Sequence, residues 1–420
     1  MDIKSLKHTI FGHPKDIDDP HIFHKLALIP TLAWIGLGAD GLSSSSYGPE
    51  EAFKVIINHP YLAVFLALAT AMTVFIISYS YSRIIEYFPT GGGGYIVATH
   101  TLGKGAGVVS GSALIVDYVL TITVSIASCG DALFSFLPMH LHHYKLSFEI
   151  FLVIALIVLN IRGVKESIKI LAPIFVIFIL THILLIGYGV FSHASQISTV
   201  TTEIKTDFNS GLSTLGWLGM LMLLLRAYSM GGGTYTGIEA VSNGLQIMKD
   251  PKVKTGKRTM LYMSTSLALT AGGLLLCYLL FHITPTAGKT MNAMLAGALF
   301  SKWHFGYQLA LITILSEGAL LLVAAQTGFI DGPRVMANMA IDGWFPRRFS
   351  ALSERFTMRN GVLLMGCSAL LVLVYTRGSI GFLVVMYSIN VFLTFSLSQL
   401  GMSKFFITNK KTLPEWKRQL

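Results

Sequence analysis

Charge is what this sequence has least of. Only 12% of its 420 residues are Asp, Glu, Lys or Arg, against about 25% in a typical soluble domain. That scarcity excludes an ordinary water-facing surface. Cysteine is nearly absent too. Cys129, Cys277 and Cys367 all lie in apolar stretches, with no spacing that suits a disulfide framework or a zinc site. They read as packing residues. The run Gly91 to Gly94 resembles a phosphate cradle only in its glycine count, because no Lys-Ser/Thr pair follows it. A nucleotide site is therefore not expected. No complete nucleophile constellation is present, so an enzyme is not expected, and neither is a resident cofactor. No small-residue cleavage site of a secretory signal precedes the first apolar run, and no separate soluble domain stands out.

Apolar residues are abundant. They make up 53% of the chain, and the mean hydropathy is +0.64. Apolar runs of about 20 residues recur along the whole length, the requirement for membrane-crossing helices. They are too long and too unalternating for barrel strands. The sequence therefore predicts an all-α integral membrane protein with ten spans, centred near Asp40, Thr73, Thr121, Ile154, Phe178, Gly232, Ala271, Leu321, Leu370 and Asn390. Residues 1–28 read as a polar tail, 29–193 as a first set of five spans and 194–213 as an outer loop. Residues 214–403 read as a second set of five, and 404–420 as a C-terminal stub. Ten crossings put both termini on one side. Lys54, Lys145, Lys205, Lys289, Lys302 and Arg377 fall on the opposite side, Arg226 lies within a span, and the rest of the 31 Lys and Arg lie with the termini. Positive residues collect in the cytoplasm. The expectation is a multi-pass protein of a bacterial-type inner membrane with both termini cytoplasmic. The formal charge of +10 then reflects orientation, not nucleic-acid binding.

Two spans are poor membrane helices. The first contains GLGADGLSSSSYGPEEAF (36–53), and the sixth contains RAYSMGGGTYTGIEAVSNG (226–244). They stand five spans apart, and an odd offset inverts the second half against the first. Paired, glycine-rich interruptions at matching positions point to an inverted-repeat transporter with a binding site near the midplane. The alternative is close helix packing through small residues. Asp40 is the costliest residue in the first interruption. It reads as an ion-site carboxylate or, alternatively, as a neutralised or salt-bridged structural one. In the third span Asp117, Thr121 and Ser125 recur at i, i+4 and i+8 and so share one helix face. A carboxylate above hydroxyls suits a hard cation or a proton relay. The alternative for the hydroxyls is bonding to their own helix carbonyls. In the sixth span Thr236 and Glu239 follow Gly231 to Gly233, and Glu239 invites the same proton or ion reading. Arg226 reads as the partner of a carboxylate. Glu317 reads as an intramembrane proton carrier in the eighth span, and Glu50 and Glu51 fall near the outer vestibule. His140, His142 and His143 read as a solvated loop more than as a metal site.

These segments resemble a known superfamily. The broken first span, the FPTGGGGYIVATHTLG turn and the broken sixth span are similar to the amino acid–polyamine–organocation superfamily, from about residue 25 onward. The resemblance implies the LeuT-type fold of ten helices in a five-plus-five inverted repeat, with helices 1 and 6 broken. Within it, ADGLSSSSYG, VDYVLTITVS, TGIEAVSNG and LVVMYSINVFLTFSLSQLGM look most like the KimA-type, proton-coupled potassium importers related to the Kup family. By motif, that resemblance assigns potassium coordination to Asp40, Tyr47, Asp117, Thr121, Ser125, Thr236 and Tyr387. It makes Glu239 and Asp117 candidates for proton coupling. Members of that type continue past the tenth helix into two more helices and a cytoplasmic domain that binds a cyclic dinucleotide, whereas this sequence runs only to PEWKRQL.

The leading expectation is a secondary transporter that moves K+ and H+, with the lipid bilayer as its solvent and a homodimer as a candidate assembly. The alternative is a proton-coupled amino acid permease, in which Asp40 and Tyr47 crowd the place of a substrate carboxylate. A third reading is a non-transporting sensor or decayed fragment.

Overall fold

The computed structural model describes residues 28–89, 91, 93–162, 168–353 and 357–411. Most of the tail 1–28, most of the stub 404–420, and Gly92 of the glycine run lie outside them. All ten expected spans are helical for most of their length. Span one is split into helices Pro30–Ser43 and Gly48–Val55, joined by a 3-10 turn, Ser44–Ser46. Span two reaches Tyr87, span three is Lys104–Phe134, span four Lys145–Arg162 and span five Ile168–Phe191. Span six ends its long helix at Met230, tightens into a 3-10 turn over Gly231–Tyr235, and restarts as Ala240–Asn243. Span seven is Lys252–Leu280, span eight Gly306–Ile341, span nine Arg359–Thr376 and span ten Ile380–Thr408. Spans two to ten are long and apolar enough to cross a membrane. Large apolar side chains such as Leu68, Phe151, Leu180, Leu371 and Phe382 are exposed on their outer faces, where acyl chains would meet them. Span ten runs past 403. The stretch 194–213 is largely helical and is set off from span six by Gly216, whose backbone leaves the helical region. Two short helices, Gly93–Thr101 and Met291–Phe300, lie between spans; the second was not legible as an element because it is too short to register as a span.

The packing repeats between the halves. Span two packs on span seven, three on eight, and four on nine. Span five packs on spans one, seven and eight, and span ten packs on six, two and three. Exchanging each span for the one five further along maps the first set of contacts onto the second. That is the pattern of a five-plus-five repeat, recovered from the contacts alone. Buried amides also link the halves: Asn160 of span four and Gln326 of span eight exchange two hydrogen bonds of 2.9 and 2.8 Å.

The two interruptions differ in kind. Pro49 has no N–H to give the Ser45 carbonyl, so the helix cannot run through it, and it favours a fresh start at Gly48. Within the expected interruption 36–53, the glycine-rich 36–41 stays helical, and Asp40 sits inside that helix. The loosening falls one turn later, at Ser44–Tyr47. Span six is unwound further. Thr236 is extended and Gly237 has φ +76.

Candidate functional site

The broken spans meet each other at their interruptions. A Cβ on Gly237 would come within 2.5 Å of the Gly41 nitrogen and 2.9 Å of Asp40 Cγ. No side chain fits there, and the positive φ independently favours glycine. The Ser44 hydroxyl lies 2.5 Å from the Gly41 carbonyl oxygen and 2.8 Å from that of Thr234, bridging span one to span six. Gly233 lies between the rings of Tyr47 and Tyr387, so that a Cβ there would meet Tyr47 at 3.0 Å and Tyr387 at 3.6 Å. The glycines thus serve close approach, as the packing alternative held, and that approach builds a polar centre.

Span three supplies the next wall. Asp117, Thr121 and Ser125 are all buried on one line of Lys104–Phe134. The Thr121 hydroxyl lies 3.0 Å from the Asp117 carbonyl oxygen, the back-bond expected of a helical threonine, and 2.5 Å from the Tyr387 hydroxyl of span ten. The Tyr47 hydroxyl faces those of Thr236 and Tyr387. Thr236 also bonds the Gly233 carbonyl at 2.9 Å. Six of the predicted ligands, Asp40, Tyr47, Asp117, Thr121, Thr236 and Tyr387, therefore converge from spans one, three, six and ten. Ser125 is buried one turn beyond Thr121, and among the described residues no hydrogen bond joins it to the others.

The cluster is acidic. Asp40, Asp117 and Glu239 are 3%, 2% and 3% exposed and lie within electrostatic reach of one another. Glu239 is held by backbone groups of Gly237 and of itself, while its Oε2 and Asp117 Oδ1 are buried without a hydrogen bond. Among the described residues no hydrogen-bond donor and no cationic side chain reaches Asp40 or Asp117. Three like charges confined this way need a cation or protons between them. Hydroxyls of Tyr47, Thr121, Thr236 and Tyr387 supply further oxygen.

Sequence reasoning missed a fourth carboxylate. Asp331 of span eight is 2% exposed and within electrostatic reach of Asp40 and Glu239. Arg334 reaches its Oδ1 at 3.1 Å, and its Oδ2 is buried without a partner. The i, i+3 spacing of Asp331 and Arg334 near the end of a span was the available signal. Tyr118, whose hydroxyl accepts from the Asn243 side chain at 2.7 Å, and Tyr81 border the same cluster.

Other expectations resolve plainly. Arg226 is exposed and makes no ion pair among the described residues, so the expected carboxylate partner is not found. Its position on span six points it away from the cluster that such a pair would join. Glu50 and Glu51 are buried and both clamp Lys54 at 2.7 Å. The histidines His142 and His143 bond nearby backbone carbonyls at an exposed turn. Three of the four serines, Ser43, Ser44 and Ser45, bond carbonyls three residues earlier in their own helix. Cys129 and Cys277 are buried, whereas Cys367 is exposed. Cavities of about 250 Å³ between spans two, six and ten, and of about 220 Å³ beside Tyr95 and Asp342, are lined by none of the cluster residues.

The chain is 33% identical over 391 residues to the potassium transporter KimA of Bacillus subtilis (strain 168), covering 92% of this chain and 62% of that protein. The chain thus spans less than two thirds of that relative's length. Among solved structures, a mutant of the manganese transporter of Eremococcus coleocola aligns over 93% of this chain and 80% of its own, at 14% identity and a TM-score of 0.42. The profile of the amino acid permease family matches residues 31–419. With that match spanning nearly the whole chain, this protein belongs to the amino acid permease family; the family and the relative are described as transporters, not as enzymes.

Proposed function

We propose that the protein takes up potassium ions coupled to protons, binding the ion in the cluster of Asp40, Tyr47, Asp117, Thr121, Thr236 and Tyr387, with Ser125 as an outlying ligand. The observation that carries this reading is the buried Asp40–Asp117–Glu239 group, which among the described residues has no cationic partner. Oxygen ligands of this kind replace the hydration shell of a weakly hydrated cation. Glu239 or Asp117 exchanges the coupling proton as the two halves rock about the site. The relative named above as a potassium transporter supports the same choice of ion. Both termini lie on the cytoplasmic side of a bacterial-type inner membrane on this reading, as the distribution of Lys and Arg favours. The partners are the ions and the bilayer, with a homodimer as the candidate assembly.

The second reading, a proton-coupled amino acid permease, is favoured by the description of the family. It requires a cation or a free helix start to meet the substrate carboxylate. The cluster offers carboxylates instead, and neither cavity above is at the cluster. Liposome flux separates the two readings. With an imposed pH gradient, potassium and rubidium accumulate, while sodium and a mixture of amino acids do not compete. Amino acid accumulation that potassium leaves untouched would reverse the choice.

A further inference from the structure

Glu317 is not part of the ion cluster. It lies in span eight, 1% exposed, facing His182 of span five, which is 2% exposed. His182 Nε2 stands 3.8 Å from Glu317 Oε2 and is buried without a hydrogen bond. Its other ring nitrogen, Nδ1, is 2.9 Å from the Phe178 carbonyl, and its ring stacks on Phe178 at 3.9 Å. That bond fixes the proton on Nδ1 and leaves Nε2 with its lone pair, or a second proton, aimed at the carboxylate.

The pair does not stand alone. Glu317 Oε2 accepts a 3.1 Å bond from the Asn292 amide, and Asn292 Oδ1 accepts from the Tyr278 hydroxyl of span seven at 2.5 Å. Asn292 lies in the first turn of the short helix Met291–Phe300. The neighbouring Met291 N–H donates to Glu50 Oε2 at 2.9 Å. Glu50 belongs to the second half of span one, Gly48–Val55, which follows the interruption. One polar chain thus runs from Lys54 and Glu50, through the short helix, to Glu317 and His182. It ties the segment beyond the break to spans five and eight. The short helix joins spans seven and eight, so the chain lies at the face opposite the one where span one starts and span ten ends. The titratable groups facing the pair from the packed elements are Tyr278 and Cys277 of span seven, Cys129 of span three, and Glu50 with its partners Lys54 and Glu51 from span one. Thr181 and Ser316 add hydroxyls. No cationic group other than His182 reaches Glu317 among the described residues.

We propose that His182 and Glu317 form a second proton-binding site, and that one proton held between them latches the short helix Met291–Phe300 and the second half of span one in the closed position. This deepens the proton-coupled reading above. With one proton, the pair is either neutral imidazole beside carboxylic acid or imidazolium beside carboxylate. Both are net neutral, and both suit a pocket closed to water. Without it, a carboxylate is buried with only the Asn292 amide for compensation, a state that costs several kcal/mol. Opening the face admits water and removes that cost. Proton binding and closure therefore favour each other, and by linkage the face closes as pH falls and opens as pH rises.

The test is thiol access. Ser46 is 3% exposed, and among the described residues its hydroxyl has no hydrogen-bond partner, so Ser46→Cys places a near-isosteric thiol behind the closed face, in a Cys129→Ala, Cys277→Ala, Cys367→Ser background. A membrane-impermeant thiol reagent is applied from that face at about pH 6 and about pH 8. Rates are normalised to free cysteine at the same pH. Labelling rises about fivefold or more at the higher pH, a population shift of the closed state. Added Glu317→Gln, a neutral hydrogen-bonding mimic of the protonated acid, keeps labelling slow at both values. Added His182→Gln, which weakens the hold on the proton, brings the rate at the lower pH up towards that at the higher. Equal labelling of the parent at both values overturns the latch, as does an unchanged pH response in either variant. If Glu317→Gln fails to fold, the parent and His182→Gln still decide. Because labelling needs no transported ion, absence of rubidium flux in the parent would count against the potassium reading while leaving this result standing.

Discussion

Asp40, Asp117 and Glu239 share a buried cluster that no cationic side chain enters among the described residues, whereas Glu317 and Glu50, also buried, each face a base: His182 in one case and Lys54 in the other. The contrast separates carboxylates that await a partner from those that already have one. A buried charge is tolerated only with compensation. In the second network the compensation is built into the protein, which suits a role in holding elements together. In the first it has to come from outside, which suits a transported ion. Asp331 stands between these cases, with one oxygen on Arg334 and the other turned to the cluster without a partner.

Substitutions can break or sharpen that contrast. The largest effect is expected from Asp117→Asn. It removes a charge from the uncompensated group and abolishes potassium-dependent growth of a potassium-uptake-deficient strain, with membrane expression unchanged. Transport falls by about a hundredfold or more, which corresponds to about 2.7 kcal/mol of lost ion stabilisation. Rescue at the parental level would remove Asp117 from the site. Next is Gly237→Ala, which forces a Cβ into the Gly41–Asp40 contact at a positive φ. Strain of this type costs about 1–3 kcal/mol, read as a lower melting temperature in detergent together with lost uptake. Thr121→Val removes one oxygen and leaves the Tyr387 hydroxyl without it. We expect rubidium affinity to weaken by about tenfold, roughly 1.4 kcal/mol, with little change in melting temperature. The smallest effect belongs to Ser45→Ala. Its hydroxyl bonds only the Leu42 carbonyl of its own helix, so stability and flux change by less than about 0.5 kcal/mol. A large loss of flux would mean that the serine run contributes ligands.

Much of this was legible in the sequence, for physical reasons. Long apolar runs announce spans because lipid permits little else, and all ten centres fall inside helices or their 3-10 continuations. Asp40, Asp117 and Glu239 stood out because carboxylates in such runs are costly. What was not legible depended on partners distant in sequence. Asp331 gains meaning only when the fold brings it near Asp40 and Glu239, and Tyr81 and Tyr118 look apolar until their hydroxyls are placed. His182 is one histidine in a greasy span and gains meaning only when Glu317, 3.8 Å away, comes from another span. The first break falls inside the expected 36–53, at Ser44–Tyr47 and not at the glycines of 36–41. Helix packing tolerates those glycines, and it is Pro49 that removes a backbone donor.

The most direct measurement of the central claim is equilibrium binding of radioactive rubidium to the purified protein. The account predicts saturable binding that potassium displaces, that a mixture of amino acids leaves intact, and that Asp117→Asn abolishes. Absence of binding, or displacement by amino acids instead of potassium, would contradict it.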